Sequence, residues 1–180
     1  VAVRRSAIQE IGGYPVWLDY CEDLVFDLRL KSKYPNFVFC PEAVAYFRPR
    51  ATLSAYFRQY YLYARGDGKA NLWGKRHLIR YATYLIIIPL IFLMGWFIHP
   101  LLWGLYILGG MIYLWKPYQR MPVVLEHSKI EAERKRSVFS RLQIALMIPV
   151  IRVVGDVAKL LGYPVGWIWR LRNHPPDWRI

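Results

Sequence analysis

The chain has 180 residues, 56% hydrophobic and 17% aromatic, with 25 basic against 12 acidic side chains and a net charge of +13. That length holds one domain, or half of one plus a membrane segment, and the apolar share is high for an ordinary soluble domain. The basic balance fits nucleic acid, an anionic membrane surface or phosphorylated substrates; the cations gather at the edges of apolar runs, where topology and lipid attraction account for them, so nucleic acid is disfavoured. The two cysteines, Cys21 and Cys40, show neither metal-ligand spacing nor a disulfide framework and read as free thiols. No initiator methionine, basic leader or signal peptide opens the sequence, and Val1-Ala2-Val3-Arg4-Arg5 reads as the interior of a domain lacking its N-terminal part.

Residues 1–75 read as soluble α/β material. Gly12-Gly13-Tyr14-Pro15 is turn chemistry. Asp19 is placed to cap a helix whose first turn carries Glu22 and Asp23, where negative charge suits the helix dipole, and Pro35 breaks that helix. Phe37-Val38-Phe39-Cys40, between Pro35 and Pro41, is a short strand candidate. Residues 52–65, rich in Tyr and Phe, predict a second amphipathic helix ended or bent by Gly66-Asp67-Gly68.

Residues 81–98 are uncharged and almost wholly apolar. At about 1.5 Å per residue this run reaches roughly 27 Å, close to a bilayer core. A second uncharged run, 101–115, is short unless Lys116 snorkels, and only His99-Pro100 separates the two, which predicts a transmembrane helical hairpin over 76–117. Lys75, Arg76 and Arg80 flank the entry, while Lys116, Arg120, Lys129, Arg134, Lys135, Arg136 and Arg141 follow the exit. The positive-inside rule then puts both ends in the cytosol and His99-Pro100 on the far side. Residues 118–140 read as a basic cytosolic linker that includes Glu126, Glu131 and Glu133. Over 141–180, Arg141, Arg152, Asp156 and Lys159 share a helical face, which predicts an interfacial amphipathic helix anchored by Trp167, Trp169, Arg170 and Arg172. Pro149 and Pro164 are expected to kink or divide it.

Arg4-Arg5-Ser6-Ala7, the Gly12-Gly13-Tyr14 turn, Glu22-Asp23 with Arg29, and Pro41-Glu42-Ala43 fall in an order and spacing that resembles glycosyltransferase family 2. The stretch from Arg48 to Gly68, with Arg50, Arg58-Gln59 and Tyr63-Ala64-Arg65-Gly66, is similar to the region after the acid pair in membrane-bound members. The resemblance covers residues 1–75; over the apolar part it is one of architecture alone. It implies the C-terminal half of a GT-A catalytic domain, α/β in class, with inverting transfer from a nucleotide-sugar donor to a lipid-linked or envelope glycan acceptor at the cytosolic face of a membrane, in the bacterial case the inner one. Such a transfer needs a carboxylate to take the proton of the attacking hydroxyl, and the resemblance assigns that role to Asp23, with Glu22 shaping the acceptor pocket or tuning its charge. Two adjacent carboxylates repel when both ionise, which raises one of their pKa values. Arg65, Arg58 and Arg50 are the candidates for the diphosphate leaving group, since a guanidinium matches phosphate bidentately. The Asp-x-Asp metal motif is absent, so any Mg²⁺ or Mn²⁺ is implied only for the full-length enzyme, bound by its N-terminal half.

Plainer readings stand beside these. Glu22 and Asp23 also serve as ordinary first-turn acids, Arg65 as a basic residue at a helix end, and Arg29 as a structural ion-pair partner. Cys21 reads as an inert pocket side chain, His77 as an interfacial residue and His99 as a turn residue. Gln59 is followed by Tyr60-Tyr61-Leu62-Tyr63, not by the Gln-x-x-Arg-Trp signature of processive synthases, which favours single-sugar addition. A non-catalytic membrane adaptor is the competing reading of the whole chain.

Overall fold

The computed structural model describes residues 2–131 and 138–179, and the side chains among them outside 124–131 and 138–141. Its elements in chain order are α1 (Arg5–Glu10), α2 (Glu22–Lys33), α3 (Leu53–Lys69), α4 (Gly74–Tyr81), a π-helical stretch Ala82–Ile87, α5 (Ile88–Phe97), a 3₁₀ turn Pro100–Trp103, α6 (Gly104–Glu131) and α7 (Val138–Asn173). No strand occurs among the described residues, which overturns the α/β GT-A expectation for residues 1–75. The reason is local. A strand survives only with a ladder partner, and Phe37-Val38-Phe39-Cys40 is an exposed, irregular stretch with no second strand among the described residues to pair with.

The chain folds as two compact units, residues up to His77 with those from Val157 onward, and Leu78–Asp156. In the first unit, Leu18, Cys21, Val25, Ala70 and Leu72 form one buried cluster, with Trp17, Leu28 and Trp178 packed against it. Ala7, Ile11, Phe26 and Leu30 form a second, joining α1 to α2. Tyr14 stacks on Phe26 at 4.3 Å between ring centres, so the Gly12-Gly13 turn, with both glycines at positive φ, folds back onto α2. Arg29 Nε donates to the carbonyl of Trp178 at 3.0 Å, so its partner is a backbone oxygen and not the carboxylate of the expected ion pair.

Helix α3 starts as predicted, with the Thr52 hydroxyl accepting from the Ala55 N–H at 3.2 Å. It does not stop at Gly66-Asp67-Gly68 but runs on to Lys69. These glycines are contact surfaces. A Cβ on Gly68 would lie 2.7 Å from the backbone nitrogen of Trp167 and collide with the carbonyl of Tyr163. A Cβ on Gly166 would strike the carbonyl of Arg65 and sit 2.9 Å from the Lys69 nitrogen, and one on Gly162 would strike the carbonyl of Tyr61. Small residues on both helices therefore let α3 and the C-terminal part of α7 touch backbone to backbone.

Among the described residues one helix, Gly74–Phe97, with 24 residues, is long and apolar enough to cross a membrane. Its π-helical stretch lies just before Pro89, whose missing N–H cannot serve the carbonyl of Leu85. After His99 the chain doubles back: the Trp103 indole donates to the carbonyl of Phe92 (3.3 Å), the Tyr106 hydroxyl to that of Ile88 (2.6 Å), and the Tyr84 and Tyr113 hydroxyls meet at 3.2 Å. The connection is thus antiparallel, but the expected second span at 101–115 is corrected. Pro100–Trp103 is spent on the 3₁₀ turn, and Gly104–Trp115 gives only about 18 Å of helix before Lys116.

The expected linker 118–140 also differs, since α6 continues helical to Glu131; Glu133, Arg134, Lys135 and Arg136 lie outside the described residues. Helix α7 is one uninterrupted helix of 36 residues, through both Pro149 and Pro164. At Pro149 the reason is visible: the carbonyl of Ala145, which the proline cannot serve, accepts from the Tyr118 hydroxyl at 3.0 Å. Three residues of the polar face predicted for a membrane interface meet protein groups, while the side chain of the fourth, Arg141, lies outside the described ones. Arg152 lies over the Tyr113 ring (4.9 Å), Asp156 pairs with Arg80 (2.9 Å), and Lys159 lies over the Tyr60 ring (4.7 Å).

Candidate functional site

The acid pair opens α2, as the sequence predicts, but its cap is different. The residue before the helix is Cys21, in the left-handed region at φ 66°, and it makes no side-chain capping bond. A non-glycine residue there is strained, and the surroundings hold it. The Cys21 thiol is buried, donates to the carbonyl of Tyr63 at 3.3 Å and lies 3.8 Å from Asp67 Oδ1. Gly66 makes this docking possible, because a Cβ there would fall 2.5 Å from the Tyr20 oxygen and 2.9 Å from Cys21 Sγ. The start of α2 is therefore seated on the middle of α3. Burial, joined by the carboxylates of Asp67, Asp23 and Glu22, pushes the Cys21 thiol far above its ordinary value, so it stays protonated and inert as expected.

This seating sets the environment of the two acids. Glu22 is half-buried and Asp23 exposed. Asp23 Oδ1 accepts from the Leu24 N–H at 2.7 Å, and among the described residues neither acid makes an ion pair. Glu10 pairs with Lys33, Asp19 with Arg65 and Lys69, and Asp67 with His77, while Asp27, exposed one turn further along α2, is without an ion pair among the described residues, like Asp23. Asp23 thus offers an uncompensated carboxylate to solvent, from a turn fixed behind it by Cys21.

The three arginines are not brought together. Arg50 lies exposed in the irregular stretch before α3, and Arg58 is exposed on α3; neither makes an ion pair among the described residues. Arg65 is held by the Asp19 carboxylate and lies 5.8 Å from the Tyr20 ring centre, with its Nε buried and unpartnered among the described residues. Asp19 is therefore not the helix cap predicted for it. It binds Arg65 and Lys69 Nζ (2.6 Å), while Lys69 also lies 4.5 Å over the Trp169 ring. Partial burial works against the Asp19 carboxylate. The Lys69 hydrogen bond, Asp19's own backbone, and the charges of Lys69 and Arg65 outweigh it and hold the carboxyl below its ordinary value.

Sequence reasoning gave Asp67 no role beyond the helix end and read His77 as an interfacial residue, which its burial in the protein corrects. The His77 ring is buried, its Nε2 3.2 Å from Asp67 Oδ2, and it stacks on Tyr163 at 3.9 Å. The available signal was an aspartate between two glycines: a carboxylate inside a tight helix crossing has to find a partner. Among the described residues no three His, Cys, Asp or Glu side chains converge as a metal site. The divalent ion implied by the resemblance thus finds no ligand set on these residues, and no step is routed through one. No protein-family model matches this chain, and comparison with curated proteins and with solved structures finds no match.

Proposed function

We propose that this chain is the membrane-attached, acceptor-side part of a glycosyltransferase of the family 2 kind, moving a sugar from a nucleotide donor onto a lipid-linked or envelope glycan at the cytosolic face. The observation that carries the reading is Asp23, an exposed carboxylate with no cation paired to it at the fixed first turn of α2. A general base must be free to accept a proton and held still while it does so. Glu22 beside it keeps the local field negative and discourages a second anion from occupying the acceptor position. Arg58 and Arg50, both exposed, are the cations free to meet the departing nucleotide diphosphate, whereas Arg65 is committed to Asp19 and serves as scaffold. In this reading the donor contacts and any divalent metal come from protein outside these residues.

The topology belongs to the same proposal. Gly74–Phe97 crosses the bilayer with His99-Pro100 on the far side, and α6, packed antiparallel on it, makes up for its short uncharged stretch by the reach of the Lys116 and Arg120 side chains to the headgroups; in this reading the chain is multi-pass with both flanks in the cytosol. The test is sugar transfer by membranes carrying Asp23→Asn in the full-length protein. Loss of about 10²–10⁴-fold in turnover, with normal expression and insertion, is the expected result; near-normal turnover removes Asp23 from the role. A non-catalytic adaptor is favoured by one observation, the exposed apolar stretch that includes Val38 (94% exposed) and Tyr46 (99%). It predicts that Asp23→Asn is silent while substitutions at Val38 and Tyr46 abolish the cellular function.

A further inference from the structure

The second unit carries two apolar grooves along α6 and α7. One, of about 490 Å³, is walled by Leu108, Met111, Ile112 and Trp115, with Lys116 and Arg152 at its edge. The other, of about 450 Å³, is walled by Met121, Ile144, Met147 and Ile151, with Arg120 at its edge. Among the described side chains the charge around them does not balance. Among the described side chains of this unit the acid is Asp156, and it is fully engaged: Arg80 Nε donates to Oδ1 at 2.9 Å, and the hydroxyls of Tyr113 (2.7 Å) and Tyr84 (3.3 Å) to Oδ2. Lys116, Arg120 and Arg152 make no ion pair among the described residues. Arg152 is instead laid over the ring of Tyr113, the residue whose hydroxyl is pinned by Asp156. Asp156 therefore fixes the ring that aims the Arg152 guanidinium at the groove without neutralising it.

A ligand that completes this surface needs hydrocarbon for the walls and an anion for the edge. A soluble anion makes no use of the walls formed by Leu108, Ile112 and Trp115, and a neutral lipid leaves Lys116 and Arg152 unmatched. We infer that the larger groove seats a lipid phosphate, its chain along Leu108, Ile112 and Trp115 and its phosphate between Lys116 and Arg152, with Arg120 extending the cationic edge toward the second groove. Both cations are exposed, so the phosphate is reached from the headgroup level while the chain stays in the apolar wall. The binding rests on this geometry alone; that the bound lipid is the sugar acceptor rests on the proposed transferase activity.

The test uses the full chain in maltoside micelles, titrated with farnesyl phosphate and followed by tryptophan fluorescence, with farnesol and inorganic phosphate as parallel arms. Saturable binding of farnesyl phosphate is expected, at least tenfold tighter than either arm. Lys116→Ala with Arg152→Ala is expected to weaken it about 25-fold, roughly fivefold per cation. Lys116→Glu alone serves as the second variant, expected to abolish saturation with the thermal midpoint kept. Equal affinity for farnesol, full competition by inorganic phosphate, or undiminished binding by the variants overturns the site. Asp23→Asn separates the two readings. Lipid binding retained in a variant that still transfers sugar defeats the enzyme alone, while absent binding beside an inactive Asp23→Asn defeats the groove alone.

Discussion

Asp19 shows how one side chain's role depends on what the fold brings beside it. Its spacing before Glu22 suits a helix cap, yet α3 presents Arg65 and Lys69 to it, and two cations outbid one backbone N–H. Because the folded carboxyl is held below its ordinary value of 3.8, its contribution to stability is complete above that pH and is lost as pH falls through the lowered value. Thermal unfolding followed by circular dichroism across the acid range therefore has a definite expectation. The wild-type midpoint drops below about pH 3.8, and Asp19→Asn removes that part of the drop while lowering the midpoint at neutral pH. An unchanged acid profile in the variant counts against the ion-pair set. The acid pair was legible from its position after a turn and before an apolar periodicity, and it does open α2. The Asp67–His77 contact was not, because ten residues of chain and the end of α3 separate the partners and only the fold closes that gap.

Among elements, the helices declare themselves by periodicity and caps; their partners do not. Thr52 marks the start of α3, and Pro35 follows closely on the end of α2. Where local propensity failed, contact prevailed. Gly66-Asp67-Gly68 carries every sign of a helix terminator, but backbone approach from α7 makes glycine the residue that fits. Pro149 carries every sign of a break, but the Tyr118 hydroxyl occupies the carbonyl it strands. Phe37–Cys40 fails for the opposite reason, since strand propensity without a neighbouring strand stabilises nothing. The glycine packing is directly testable. Gly166→Ala drives a methyl into the carbonyl of Arg65 and is expected to destabilise by about 1–3 kcal/mol or more. Gly109→Ala, with open space around its Cβ, is expected to stabilise by about 0.5–1 kcal/mol. Comparable melting shifts of the same sign for the two would refute the close crossing.

At the scale of the whole molecule, Gly74–Phe97 is long and apolar enough to cross a membrane, and the proposed topology sets cations of a chain with net charge +13 at the borders of that helix. The proposed topology predicts that His99→Cys, in a Cys40→Ser background, reacts with a membrane-impermeant maleimide in intact cells, whereas native Cys40, exposed in the structure, reacts only after lysis. Labelling of both only after lysis would leave the helix lying in or on one face. The exposed stretch between α2 and α3 has a consequence of its own. Nothing in the buried clusters is drawn from residues 34–52, while Leu18, Cys21 and Val25 on one side of it share a core with Ala70 and Leu72 on the other. Covalent continuity there is dispensable to the packing. A polypeptide severed there is expected to keep its two pieces clasped, which makes the stretch a natural seam for a reporter or tether placed clear of Val38, Tyr46 and Arg50.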